Sequence, residues 1–196
     1  EQIGDPRAYE TYIAMLKDLE ARIRLFAVKG LGNLKQAKAV SALSELREDV
    51  DANVRLTLAT SLGQIADSSC IETLMFLINS DPHPNVRIEA IDSIAAIKNP
   101  KSTEVLMSVA QTYGEENMRY HAVVGMERLN DAKATGVLID MLTDESTRIR
   151  VASASALAAI GTQDAKEALK DVLYDESSGV RTVARQALGI AKETVE

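Results

Sequence analysis

The stretch 49–63, DVDANVRLTLATSLG, returns with its landmarks in place at 81–95, DPHPNVRIEAIDSIA, at 144–158, DESTRIRVASASALA, and at 175–189, DESSGVRTVARQALG. Its arginine recurs at Arg24, Arg55, Arg87, Arg119, Arg150 and Arg181, in steps of 31, 32, 32, 31 and 31 residues. An apolar residue precedes each one (Ile23, Val54, Val86, Met118, Ile149, Val180), and another follows seven positions later (Leu31, Leu62, Ile94, Met126, Leu157, Leu188). Alanine sits three or four positions after the arginine, at Ala27, Ala59, Ala90, Ala122, Ala154 and Ala184. A period this long exceeds any coiled-coil heptad. One supersecondary unit repeated in register predicts a stacked solenoid.

Within each unit the apolar residues keep helical spacing, as in Val54, Leu58, Leu62 and Ile65. First helices are predicted over 22–33, 52–66, 84–98, 116–129, 147–161 and 178–191, and second helices over 36–47, 69–79, 101–112, 132–143 and 163–174. Turn and cap residues separate them at Gly32-Asn33, Ala66-Asp67-Ser68, Asn99-Pro100, Asn130-Asp131 and Gly161-Thr162. Asp5-Pro6 and Asn99-Pro100 read as helix entries, a capping side chain followed by proline where its missing N–H costs nothing. The expected organisation is one continuous array: a half repeat at 1–17, repeats at 18–48, 49–80, 81–112, 113–143 and 144–174, and a half repeat at 175–196. Because it begins at Glu1 and ends in mid-repeat, the sequence is expected to be a piece of a longer chain or to carry irregular caps.

Composition narrows the function. With 46% hydrophobic and 26% charged residues the 196-residue chain has enough apolar surface for a core, and its net charge of −7 supplies no basic field for nucleic acid or anionic lipid. No apolar run reaches the length of a membrane span. The single Cys70 has no partner for a disulfide, a metal site or a redox pair, and it reads as a small apolar residue.

An aspartate stands six positions before the arginine in five of the six units: Asp18, Asp49, Asp81, Asp144 and Asp175. Together with Val-Arg at 54–55, 86–87 and 180–181, and Leu-Gly at 31–32, 62–63 and 188–189, this resembles HEAT repeats, and most closely the short form found in phycobilin lyases and many bacterial proteins. The resemblance covers nearly the whole chain. It implies an all-α, right-handed solenoid of antiparallel helix pairs, and it leaves function open because the repeat serves many unrelated roles.

Physical chemistry gives the two columns a structural task. An aspartate at a helix start accepts from free backbone N–H groups, and an arginine one and a half turns on can reach an aspartate or a carbonyl of the adjacent unit. The pairs Asp18/Arg24, Asp49/Arg55, Asp81/Arg87, Asp144/Arg150 and Asp175/Arg181 are therefore expected to form a cohesive ladder. Repeat four departs from the pattern. Tyr113 replaces the aspartate and Gly114-Glu115-Glu116-Asn117 follows, so this junction, with Tyr120 close behind, is expected to be the least regular.

Reactive constellations are missing from the sequence. His83 precedes Pro84 and His121 precedes Ala122, so the recurring His-Glu pairs of HEAT-like deoxyhypusine hydroxylases are not matched. The basic, aromatic-lined clamp of HEAT-like DNA glycosylases is not matched either, since the chain has no Trp and an acidic excess. No phosphate loop and no nucleophile elbow occurs. The expectation is a non-catalytic chain with no cofactor and no metal.

In a solenoid of this type the second helices line the concave face, where one column holds Ile13, Met75, Met107, Ile139 and Lys170, with Phe76 beside it. Adaptable Met-rich apolar surface suits peptide binding, and the alternative is that these side chains lie half-buried between neighbouring second helices and finish the core. The flanking Glu45, Asp140 and Asp171 outnumber Lys166, and that acidic content favours a basic or amphipathic partner. The leading expectation is a scaffold binding a protein or peptide there. The alternatives are a bilin chromophore lyase or lyase subunit, which the resemblance implies, and an architectural or regulatory spacer.

Overall fold

The computed structural model describes residues 6–190, which form helices and connecting turns with no strand among the described residues. The helices are α1 (Pro6–Met15), α2 (Ala21–Leu34), α3 (Val40–Ser44), α4 (Ala52–Ile65), α5 (Cys70–Ser80), α6 (Pro84–Ala96), α7 (Pro100–Thr112), α8 (Glu116–Leu129), α9 (Thr135–Asp140), α10 (Thr147–Ile160), α11 (Gln163–Asp171) and α12 (Ser178–Leu188). Short 3₁₀ turns flank α3 (Ala37–Ala39 and Glu45–Glu48) and α9 (Ala132–Ala134 and Met141–Thr143), and one follows α11 (Val172–Tyr174). Three of the second helices expected from the sequence are thus tightened at one or both ends. The chain divides into two compact units, residues 1–102 and 103–196.

The first unit is layered by the alternation of first and second helices. First helices α2, α4 and α6 pack side by side in sequence, while α1 lies against α2 and α5 lies against α6. Its core contains Leu31, Leu58, Leu62, Leu74, Leu77, Ile78, Ile91 and Ile94, all with essentially no exposure. The second unit repeats the arrangement. There α8, α10 and α12 pack in sequence, with α9 and α11 against α10 and α11 against α12, around Met126, Leu138, Ile149, Leu157 and Leu169.

Small residues set how closely the first helices approach. The alanines that follow each arginine, Ala27, Ala59, Ala90, Ala122, Ala154 and Ala184, are fully buried. Gly32 and Gly63 extend this logic: a Cβ at Gly32 would lie 2.7 Å from the Ser61 Cβ, and one at Gly63 would lie 2.6 Å from the Ser93 Oγ. Each serine then donates its hydroxyl to the neighbouring helix backbone, Ser61 to the Val28 carbonyl at 3.1 Å and Ser93 to the Ala59 carbonyl at 2.8 Å. These bonds satisfy hydroxyls that burial has removed from water.

The Gly32-Asn33 pair is therefore not the break that the sequence reading expected. Gly32 and Asn33 stay helical, and α2 ends when Lys35 takes the left-handed conformation at φ 51°. The same ending serves α4 at Ala66 (φ 55°), α8 at Asn130 (φ 50°), α10 at Gly161 (φ 66°) and α12 at Gly189 (φ 67°). That last turn closes α12 at Leu188, short of the expected 191, which itself lies outside the described residues, as does Asp5. At the entry to α7, Asn99 accepts from the Lys101 amide at 2.9 Å ahead of Pro100.

Two substitutions in α4 and its cap should move stability in opposite directions. Ala66→Gly relieves a left-handed alanine and is expected to stabilise by about 1 kcal/mol. Gly63→Ala forces Ser93 aside and should destabilise by roughly 1–3 kcal/mol despite alanine's better helix propensity. Urea unfolding of the two variants beside the parent chain reads both signs.

Candidate functional site

Two sets of residues carry the repeat's chemistry: the arginine–aspartate column and the outward face of the second helices. Each arginine of the column grips its own turn, and four of the six also reach the next repeat. Its Nη1 turns back to the carbonyl six residues earlier, as in Arg24 to Asp18 at 2.9 Å, Arg87 to Asp81 at 2.9 Å, Arg150 to Asp144 at 3.0 Å and Arg181 to Asp175 at 2.6 Å. Arg55 makes the equivalent bond to the Asp49 carbonyl. In Arg24, Arg55, Arg119 and Arg150, Nε and Nη2 point forward and grip the carboxylate of the next repeat.

That forward grip is a two-bond fork. Arg24 meets Asp49 at 2.6 and 2.7 Å, Arg55 meets Asp81 at 2.6 and 3.1 Å, Arg119 meets Asp144 at 2.9 and 3.2 Å, and Arg150 meets Asp175 at 3.0 and 3.3 Å. The planar guanidinium matches a carboxylate in this geometry, which is why lysine would not substitute for it. The pairs are withdrawn from solvent, with side-chain exposures of 8% and 1% for Arg55 and Asp81. The aspartates also accept from the backbone amide two residues on, at Glu20, Asp51, His83, Ser146 and Ser177, at 2.7–2.9 Å. Those residues are themselves the helix N-caps. The aspartates thus brace the turn ahead of each cap instead of capping the helix directly, the role that their position at a helix start had suggested.

Burial alone would raise the Asp49 and Asp175 pKa values. For Asp49 the Arg24 fork, the Asp51 amide and the guanidinium charges outweigh it, and for Asp175 the Arg150 fork and the Ser177 amide do the same, so both carboxyls sit below their ordinary 3.8. Arg24, Arg55, Arg119 and Arg150 are shifted upward, first by the hydrogen bond to their aspartate. Cys70, fully buried at the start of α5, is pushed up to about 11 by burial and is an inert core thiol.

At repeat four the column adjusts. Arg119 turns back mainly to the Gly114 carbonyl, with Tyr113 at 3.5 Å, so the backbone grip slides by one residue where the aspartate is missing. Glu115 is the backbone N-cap of α8, and Glu116 accepts from the Ser146 hydroxyl at 2.6 Å. The Arg148 guanidinium lies 3.4 Å from the centre of the Tyr120 ring, and His121 meets that ring edge-on at 5.5 Å. Sequence reasoning missed Arg148, which the repeat carries at no other equivalent position except Arg22.

On the second helices, Ile13 (α1), Met75 and Phe76 (α5), Met107 (α7) and Ile139 (α9) are half-buried, while Lys170 (α11) is exposed and paired with Glu167 at 2.8 Å. Core residues on the same helices, among them Leu74, Leu77, Leu106, Leu138 and Leu169, have essentially no exposure. Arg47 lays its guanidinium over the Phe76 ring at 4.5 Å. Each unit has a cleft beside this face. In the first, about 320 Å³ is lined by residues that include Arg47, Val50, Phe76 and Pro82. In the second, about 500 Å³ is lined by residues that include Glu145, Asp171, Tyr174 and Glu176. Sequence reasoning missed Glu145 and Glu176, which add a second, exposed carboxylate to Arg119 at 3.4 Å and to Arg150 at 2.7 Å.

Among the described residues no group of three or more His, Cys, Asp or Glu side chains is placed to hold a metal ion, and no helix is long and apolar enough to cross a membrane. His83 is exposed, and its backbone amide serves Asp81.

Comparison with known proteins agrees with this architecture. Residues 42–115 and 111–189 match the family described as HEAT repeats. Among solved structures, the chain is similar to YibA of Escherichia coli (TM-score 0.64, 22% identity, covering 93% of this chain and 71% of that one). It is similar to the CpcE–CpcF complex of phycocyanin lyase from Nostoc sp. PCC7120 (0.62, 22%, 96% and 78%) and to a designed armadillo repeat protein in complex with the peptide (KR)4 (0.58, 18%, 92% and 98%). At these identities the likeness is one of fold. No curated protein matches the sequence.

The lowered carboxyls make stability depend on acid. The unfolded chain takes up protons at Asp49 and Asp175 before the folded chain does, so their contribution is complete above 3.8 and is lost as pH falls through the lower folded values. Urea midpoints measured from pH 6 down to pH 2.5 should fall below about pH 4 in the parent chain. Asp49→Asn should start lower at pH 6 and show a shallower acid slope.

Proposed function

This chain belongs to the HEAT-repeat family, and from that membership we propose that it is a non-catalytic scaffold that binds another protein or peptide through the outward face of its second helices. The observation that carries the reading is the row of half-buried Ile13, Met75, Phe76, Met107 and Ile139 beside fully buried core neighbours on the same helices. These side chains keep apolar surface available after the core is complete, and a partner that covers them gains by removing it from water. Methionine adapts its three rotatable bonds to different partner shapes, which suits a recognition surface more than a rigid core. The arginine–aspartate column is already committed to neighbouring repeats, so the reading gives it cohesion as its task and leaves the second helices for recognition.

The test is selection from an unbiased random-peptide library displayed on phage, followed by binding measurements on purified variants. Met75→Asp and Met107→Asp are expected to weaken the selected binders at least about tenfold while leaving the helical circular dichroism unchanged. Lys29→Glu, an exposed change on a first helix, should leave binding alone. Selected binders indifferent to both Met substitutions would contradict the reading.

A further inference from the structure

The arginine–aspartate column has two open ends. At one, Arg181 returns Nη1 to the Asp175 carbonyl at 2.6 Å and to the Glu176 carbonyl at 2.9 Å, and no carboxylate among the described residues meets its Nε or Nη2. At the other, Asp18 accepts the Glu20 amide at 2.8 Å, and no arginine among the described residues forks onto its carboxylate. Each is one half of the rung that Arg24, Arg55, Arg119 and Arg150 complete with Asp49, Asp81, Asp144 and Asp175.

Apolar packing stops at the same two places. Leu188 is half-buried, whereas its counterparts Leu31, Leu62, Ile94, Met126 and Leu157 have no exposure. Val183 on the same helix is half-buried, and Ile190 just beyond it is 46% exposed. Gly189 holds the register of Gly32 and Gly63, yet nothing lies within 4 Å of the Cβ it would carry. At the Asp18 end, the Tyr12 ring packs on Gly30 and meets Phe26 edge-on at 5.8 Å, and Phe26 is 57% exposed. The second helices α5 and α11 each pack between two first helices, whereas α1 packs on α2.

From these matched ends we propose that copies of this chain associate head to tail, α12 of one copy seating against α1 and the Asp18 turn of the next, with Arg181 forked onto that Asp18. In this contact α1 is the second helix that completes the repeat begun by α12, and α12 is the first helix that α1 lacks. The incoming α1 covers Val183 and Leu188, which removes apolar surface from water, and the Tyr12–Phe26 pair meets the open Gly189. The fork sets register, because a guanidinium holds a carboxylate only in plane. Two Arg181 ends repel one another, as do two Asp18 ends, so the head-to-tail arrangement is the one that pairs the charges. The two surfaces differ, so the contact is heterologous and each added copy presents the same surfaces again. The proposal draws on the ends of the column and is independent of the second-helix row.

Sedimentation velocity of the whole chain from about 5 to about 500 μM tests it. The average mass should rise with concentration past that of a dimer and fall as salt is raised. Arg181→Glu alone and Asp18→Arg alone should each weaken association at least about tenfold, because each sets like charges across the contact. Mixed in equal amounts, the two variants should associate again, since every junction between unlike copies then pairs opposite charges. Recovery on mixing also shows that both variants fold, and circular dichroism should report parental helicity in each. Phe26→Ala, at a side chain more than half exposed, gives a second reading and should weaken association at least about threefold. A monomer throughout the range, association indifferent to all three substitutions, or natively helical charge variants that stay monomeric when mixed overturns the proposal.

Discussion

A guanidinium that holds its own turn with one nitrogen and the next repeat's carboxylate with two others is the constraint on which the rest of this structure depends. A repeat in a solenoid cannot bury its apolar face alone, so each must be held in register with its neighbour. Hydrophobic contact supplies most of the attraction but little direction. The fork from Arg55 to Asp81, and its counterparts at Arg24, Arg119 and Arg150, supplies direction, because two parallel bonds fix both distance and plane. The aspartate in turn fixes the loop that precedes the helix carrying the next arginine, so one side chain orders two junctions.

Close packing completes what the fork begins. Gly32 against Ser61 and Gly63 against Ser93 let the first helices of the first unit approach until hydroxyls reach the neighbouring backbone. Buried charge is costly to isolate, and both members of each rung are almost dry. Cohesion is therefore concentrated on the first helices and the loops, which leaves the second helices free to vary on their outward face. The scaffold reading proposed above assigns recognition to that face, in side chains that the stack does not need.

The period was legible because the arginine, the aspartate six before it and the apolar residue seven after it are chemically unlike their surroundings, and the five helix pairs, with a single helix on either side of them, follow from it. The helix endings were less so. Lys35 and Ala66 adopt left-handed backbone without the glycine that usually announces it, whereas Gly32, which looks like a stop, serves close approach. At the candidate site, the columns of Ile13, Met75, Met107 and Ile139 could be read from spacing, but their half-buried state depends on packing depth, which a linear pattern does not encode. Nor could the sequence say that Asp49 and Asp175 would bond the amide of the N-cap residue, or that Glu145 and Glu176 would lean on the arginine of the preceding repeat.

The most direct test of the central claim is a double-mutant cycle on one rung, with Arg55→Met, Asp81→Leu and the double variant compared by equilibrium unfolding at pH 7. If the fork holds the repeats together, each single change leaves a buried partner uncompensated and costs about 3 kcal/mol, while the double change costs far less than their sum, for a coupling of about 2 kcal/mol or more. Additive losses, with coupling below about 0.5 kcal/mol, would contradict the account.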